Sequence, residues 1–219
     1  MSSFDPISMP LWPVRPPPQP QELFTGWLVR IAQAHGIAPR LFISQLRANA
    51  RAGHRDLDVS PSYEMIAEVS RRTAVPYSRI VRMTVRWHVD AVIGGRVRAA
   101  DTFACCPLCW REDPSPYVRR AWRLAWTPIC IRHRTPLGGF CPQCRHFPAF
   151  ESTSAAHSIC RCQRCSFDLR RMETGWPGPL SKAAIDREVQ VQDRRFRHFE
   201  SPYYDADCVR AEGICRSSP

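Results

Sequence analysis

A mainly α-helical fold with small β elements around metal-binding turns is predicted by three observations. Apolar residues recur at helical spacing between residues 21 and 92. Nine of the 11 cysteines crowd between Cys105 and Cys165, and a charged, helix-periodic segment follows near the C-terminus. A length of 219 residues with 44% hydrophobic composition suffices for a packed core. No run approaches the ~18 apolar residues of a membrane span, and the proline-rich start lacks the basic and apolar regions of a secretion signal. A soluble, cytoplasmic chain without membrane contact is therefore expected.

The elements follow in order. Residues 1–20 hold seven prolines, including Pro16-Pro17-Pro18, and read as an extended arm with Trp12 as its anchor. From Gln21 to His35, Phe24, Trp27, Leu28, Ile31 and Ala32 mark an amphipathic helix that stops at Gly36. A second helix is predicted over Arg40–Ala52, with Phe42 and Leu46 inward. Ser60-Pro61 reads as an N-cap and first-turn proline for a third helix through Arg72, with Ile66, Ala67 and Ser70 inward. Thr73-Ala-Val-Pro76 breaks the pattern, which resumes from Tyr77 to Val92. Two short helices about a four-residue turn form a helix-turn-helix candidate. On its second helix, Arg79, Arg82 and Arg86 fall within an arc of roughly 60°. Such a face suits phosphate contact better than base reading, since Asn and Gln are missing from it.

The cysteines come in four half-sites: Cys106-Pro-Leu-Cys109, Cys130-Ile-Arg-His133, Cys141-Pro-Gln-Cys144 and Cys162-Gln-Arg-Cys165. A CxxC or CxxH turn supplies two ligands along one edge of a tetrahedron, so four half-sites complete two zinc sites. Sequential pairing gives Cys106, Cys109, Cys130 and His133 at one site and Cys141, Cys144, Cys162 and Cys165 at the other. An interleaved cross-brace uses the same eight residues. A disulfide framework is disfavoured by the odd cysteine count and by the CxxH half-site. With four protein ligands each, both Zn2+ ions are expected to be structural. Cys105 and Cys160 stand beside ligands and are in register to replace them; Cys208 and Cys215 have no CxxC partner, and His146 and His157 lie near the second site. Glycine is missing after the turns, where Trp110, Arg145 and Ser166 stand.

Between the halves of the first site lies Tyr117-Val-Arg-Arg-Ala-Trp-Arg-Leu-Ala-Trp126. Trp122 and Trp126 are expected to share a face against the metal turns, with Arg119, Arg120 and Arg123 pointing away as a solvated surface or a nucleic-acid contact. Ser181–Phe199 reads as a charged helix aligned through Ala184, Val189, Gln192 and Phe196. The domain plan is thus a Pro-rich arm (1–20), a helical helix-turn-helix domain (21–100), two tandem zinc fingers with small zinc-ribbon-like β elements (101–171), and a C-terminal helix and tail (172–219). The formal net charge is +11, and 30 of the 31 basic residues are arginine, so a polyanionic partner is plausible. Catalysis is not expected, because the sequence shows no phosphate-binding Gly-Lys-Ser/Thr loop, no open metal site and no convergent carboxylates.

The order of parts, "ELFTGWLVRIAQAHGI", "FACCPLC", "YVRRAWRLAWTPICIRHRTPLGGFCPQC" and "CQRCSFDL", resembles the TniQ family of bacterial transposition proteins over about residues 10–171. The resemblance implies an N-terminal helix-turn-helix domain, two zinc-ribbon-like fingers and a non-enzymatic role in choosing a transposon's target. Family members link a target-recognition element to an AAA+ ATPase that recruits the transposase. That element is a DNA-binding protein in some systems and an RNA-guided effector in CRISPR-associated transposons. About 50 residues follow the second finger, so the extended region by which longer relatives read DNA is expected to be absent. Contact with DNA is then weak and made to the backbone. The rival expectation is a sequence-specific DNA-binding regulator using the helix-turn-helix.

Overall fold

The computed structural model describes residues 11–49, 56–86, 104–147, 149, 153–156, 158–175 and 181–199. Helix α1 (Phe24–Ala34) runs through the centre of the core. Its buried residues are Phe24, Thr25, Gly26, Trp27, Leu28, Val29, Ile31 and Ala32, so the helix is enclosed on most of its circumference rather than on one stripe. The reason is packing on every side: the Pro-rich arm, α2 and the segment around Val118, between the halves of the first cysteine quartet, all lie against it. At Gly26 an added Cβ would stand 3.0 Å from Val118 Cβ. The helix stops where Gly36 turns left-handed at φ +67, its N–H donating to the Gln33 carbonyl at 2.9 Å.

Helix α2 (Pro39–Asn49) buries Ile43 and Leu46. Phe42 is half-buried and packs its ring 5.1 Å from Trp12 and 6.5 Å from His35. Trp12 thereby anchors the arm, which hands further backbone to the core: Trp12 N–H donates to the Arg72 carbonyl and Trp27 Nε1–H to the Pro16 carbonyl, both at 2.8 Å. Residues 50–55, where the second helix was expected to end, lie outside the described residues, as do residues 1–10.

Helix α3 (Tyr63–Thr73) is capped by Ser62, whose side chain accepts from the Met65 N–H at 3.2 Å. The cap therefore falls two residues later than Ser60. The inward face is Met65, Ile66, Val69 and Thr73, while Ala67 and Ser70 are only half-buried. Ala74, at φ 58, turns the chain into α4 (Tyr77–Arg82). The expected helix to Val92 is interrupted at Met83–Val85. Thr84 and Val85 are buried there, and the Val85 N–H donates to the Asp58 carbonyl at 2.7 Å instead of continuing the helical ladder. Arg86 lies beyond this break, so it does not share one continuous helix with Arg79 and Arg82. Residues 87–103, including Trp87 and Val92, fall outside the described residues.

Helix α5 (Pro107–Glu112) carries Cys109, and two short 3-10 turns occupy Arg120–Arg123 and Leu169–Arg171. The expected β elements appear among the described residues as four isolated antiparallel bridges: Glu22–Arg119, Cys105–Gly138, Ile129–Pro136 and Arg161–Asp168. The helical and cysteine-rich halves share one core. Leu23 N–H donates to the Val118 carbonyl at 2.8 Å, and Arg120 N–H to the Gln21 carbonyl at 2.9 Å. Leu23, Trp27, Val118 and Trp122 belong to the same apolar cluster.

Trp122 and Trp126 do not share a helical face, because the 3-10 turn ends at Arg123. Trp122 packs edge-on to Trp110 at 5.5 Å, whereas Trp126 meets Phe196 at 5.4 Å. That second contact docks the C-terminal helix α6 (Lys182–Phe199) onto the cysteine half. Ser181 caps α6, its Oγ accepting from the Ala184 N–H at 3.2 Å. Val189, Gln192 and Phe196 are buried as expected, but Ala184 is exposed because only the C-terminal part of the helix is covered. No helix among the described residues is long and apolar enough to cross a membrane.

Candidate metal centres

Three of the four half-sites fold into the same turn. In Cys130–Arg134, Cys141–Arg145 and Cys162–Ser166, the residue after the second ligand donates its N–H to the first cysteine's carbonyl at 2.7, 2.9 and 2.8 Å. Each first cysteine then donates its own N–H to the residue five positions on, Thr135, His146 or Phe167, at 2.8–2.9 Å. These loops require a left-handed residue, and Arg134, Arg145 and Ser166 take it at φ 55, 58 and 60. A non-glycine residue there costs about 1–2 kcal/mol, a small amount beside the ~10–16 kcal/mol a structural metal returns. The fourth half-site differs: Cys106 precedes α5 and Cys109 lies in its first turn, so Trp110 stays helical.

These turns bring the eight residues into two quartets, Cys106/Cys109/Cys130/His133 and Cys141/Cys144/Cys162/Cys165, with ligand atoms in each all within 4.8 Å of one another. The grouping is the sequential one. In the first quartet Cys109 Sγ lies 3.6 Å from Cys130 Sγ, and His133 Nδ1 lies 3.4, 3.3 and 3.5 Å from the sulphurs of Cys106, Cys109 and Cys130. In the second, Cys141–Cys165 and Cys144–Cys162 are 3.5 and 3.6 Å apart. A tetrahedral ion with metal–sulphur and metal–nitrogen bonds of about 2.3 and 2.0 Å has edges of roughly 3.5–3.8 Å. The quartets have that size, far from the ~2.05 Å of a disulfide. Each can hold one metal ion.

Thiol donation from Cys109 and Cys130 holds the Cys106 thiol far below its usual range, while the same sharing pushes Cys109 up. The His146 backbone N–H lowers Cys144 to about 7. His133 presents Nδ1 to the sulphurs and places Nε2 3.0 Å from Glu112 Oε1, an arrangement that fixes tautomer and ring orientation. Arg132 braces the same carboxylate at 2.5 Å. Glu112 is a residue that ligand spacing does not reveal; the available signal is its place three residues after Cys109 on α5, one turn along the same face. Cys105 and Cys160 are buried outside both quartets, and their thiols are pushed up, foremost by burial. His146 contributes backbone to the second turn. His157, Cys208 and Cys215 are outside the described residues.

A family model described as TniQ matches residues 13–137, which is more than half of the chain. The chain belongs to the TniQ family. The match runs from the Pro-rich arm through both halves of the first metal site and stops just before Cys141. A comparison with curated protein sequences finds no significant match. As a TniQ protein, the chain is transposition-associated.

The six candidate arginines of this TniQ chain have separate fates. Arg119 forms a bidentate pair with Asp113 at 2.8 and 2.9 Å and lies over the Tyr117 ring at 4.3 Å. Arg123, 1% exposed, pairs with Asp56 and stands 3.6 Å from Asp58. Asp58 in turn accepts from the Thr25 N–H and hydroxyl at 3.0 and 2.8 Å. The Arg123 guanidinium thus ties the cysteine half to the helical half, whereas the Arg119 pair lies within the cysteine half. Arg120 is buried and donates to the Arg82 carbonyl and to Gln21 Oε1. Arg79 and Arg82 are exposed on α4, Arg79 donating to the Pro18 carbonyl at 3.2 Å. Arg86, beyond the break, is half-buried near Tyr77.

Proposed function

We propose that the chain is a non-catalytic adaptor in DNA transposition. It links target-site recognition, by an RNA-guided effector or a DNA-binding protein, to an AAA+ ATPase that recruits the transposase. Membership of the TniQ family carries this reading. Two structural Zn2+ ions fit the quartets: thiolate and imidazole donors suit zinc, and each quartet fills all four tetrahedral positions with protein atoms, so no position is kept for water or substrate. The ions would hold the segment between the halves of the first site in place against the helical half, and α6 against the cysteine half. Direct DNA contact is expected to be weak and made to the backbone through arginine.

A sequence-specific regulator has less support, because α4 is only six residues long before the Met83–Val85 break. The test is co-sedimentation of the zinc-loaded chain with its transposon's ATPase assembled on duplex DNA with ATP, against DNA alone at matched salt. Retention only with the ATPase supports the adaptor. Equal retention on DNA alone overturns it in favour of a direct DNA binder.

A further inference from the structure

Helix α6 carries both signs of charge, and docking onto the cysteine half sorts them. Its inner stripe is Val189, Gln192 and Phe196, all buried. Asp186, Glu188 and Asp193 stand half-buried along the seams on either side of that stripe. Asp186 pairs with Arg134, and Glu188 accepts from Gln192 Nε2 at 3.5 Å. The cations Lys182, Arg187, Arg194 and Arg195 are all exposed, and no exposed residue between 181 and 196 is acidic. The outward charge of α6 is therefore positive, although the helix as a whole is mixed.

At 100° per residue, Arg187 and Arg194 leave the helix within about 20° of one another, opposite the buried stripe. Seven residues at 1.5 Å place them about 10.5 Å apart along the axis, with Ala183, Gln190 and Val191 on the same exposed face. Among the described residues neither arginine is paired with a carboxylate. Arg195 sits at the edge of the face, its guanidinium 5.7 Å from the centre of the Trp126 ring. The Arg134–Asp186 pair and the Trp126–Phe196 contact fasten α6 near both ends, so the face rests on a fixed support.

The make-up of the face discriminates between partners. A protein interface is centred on buried apolar or aromatic anchors, and the one large apolar side chain exposed on α6 is Val191, at 37%. A single strand is held by stacking its bases on aromatic rings, and the exposed residues of α6 include none. Two guanidiniums about 10.5 Å apart, with short or neutral side chains between them, match a duplex backbone, whose charges recur every ~3.4 Å along each strand.

We propose that the outer face of α6 lies along the phosphate backbone of duplex DNA, with Arg187 and Arg194 each taking one phosphate. The proposal rests on the adaptor reading and specifies its DNA contact.

The experiment uses the zinc-loaded full chain, fluorescein-labelled random-sequence duplex DNA, and anisotropy between about 50 and 200 mM salt. Both arginines are exposed, so the Arg187→Gln/Arg194→Gln variant is expected to fold with unchanged zinc content. It should bind duplex about 10–100-fold more weakly at about 100 mM salt and lose about two units of log–log salt slope. The control pair Arg164→Gln/Arg171→Gln, exposed on the second finger, removes the same charge and should keep the slope. Arg187→Lys/Arg194→Lys should also keep most of it. A slope unchanged in the Gln pair, lowered equally in the control, or lost in the Lys pair overturns the α6 contact. An unlabelled single strand of thymidines should compete less well than unlabelled duplex; equal or better competition overturns the duplex assignment. The ATPase co-sedimentation is run on the same variants. An unchanged slope with ATPase-dependent retention intact removes the α6 contact and leaves the adaptor. An unchanged slope with that retention lost makes the face a protein contact and overturns the DNA assignment. A lowered slope in the Gln pair, with the wild type retained equally on DNA alone, keeps the α6 contact and removes the adaptor.

Discussion

Replacing Glu112 by Ala should weaken one metal site and spare the other. Glu112 Oε1 lies 3.0 Å from His133 Nε2, and His133 is the nitrogen donor of the first quartet. Without the carboxylate the ring loses the partner that fixes its tautomer and orientation. Outer-shell partners of this kind are worth ~10–100-fold in metal affinity. The Glu112 side chain is 46% exposed, so water screens the pair and the lower end applies, about tenfold or ~1.4 kcal/mol. Competition with a chromophoric chelator on the two-zinc protein should show one equivalent released about ten times more readily and the other unchanged. Glu112→Gln, which keeps an acceptor oxygen, should recover most of the loss. If both equivalents keep wild-type affinity in Glu112→Ala, or both weaken together, the assigned role of Glu112 at His133 is wrong.

Cys109→Ser and Cys141→Ser should each release a different single zinc and destabilise the cysteine half; two equivalents retained in either variant would contradict the quartets. In the wild type the second site should yield its ion to EDTA first, because Cys144 and Cys165 are half-exposed whereas Cys106, Cys109 and Cys130 are buried; release in the opposite order would count against exposure as the control. Gly26→Ala sets a methyl 3.0 Å from Val118 Cβ and should cost ~1–3 kcal/mol by denaturant unfolding, with Val118→Ala restoring part of it; an unaffected midpoint would refute the close approach. Asp58, raised by burial and by Asp56 against the pull of Arg123, titrates at about 7. Its raised folded pKa means the folded chain binds more protons than the unfolded one below that value, so stability should fall by about 1.4 kcal/mol from pH 6 to pH 8. Asp58→Asn should remove this slope, and matching pH profiles in the two proteins would disprove it.

The two quartets were legible because their determinants are local. A CxxC or CxxH turn joins ligands three residues apart, and the turn chemistry tolerates Arg134, Arg145 and Ser166 in left-handed conformations once a metal compensates. Helices α1, α2, α3 and α6 were legible for a similar reason, since apolar periodicity and stop residues act within a few turns. Details set by neighbours were not. Ser62 rather than Ser60 caps α3, and α4 ends early because Asp58, distant in sequence, takes the Val85 N–H. Glu112 escaped because a ligand's orienting partner obeys no fixed spacing.

The sequence by itself determined the two quartets that can hold a metal, the positions of most helices and the family. Only the tertiary structure decided what the arginines do. On a helical wheel Arg79, Arg82 and Arg86 look alike, and Arg119, Arg120 and Arg123 look like one solvated surface. Packing of the segment between the halves of the first metal site against α1 and α4 instead sends Arg119 and Arg123 to Asp113 and to Asp56 with Asp58, and turns Arg120 toward the cavity that Arg79 and Arg82 also line. A guanidinium's role depends on which carboxylate or cavity comes within a few ångströms. That distance is set by contacts between segments tens of residues apart, which no local pattern encodes.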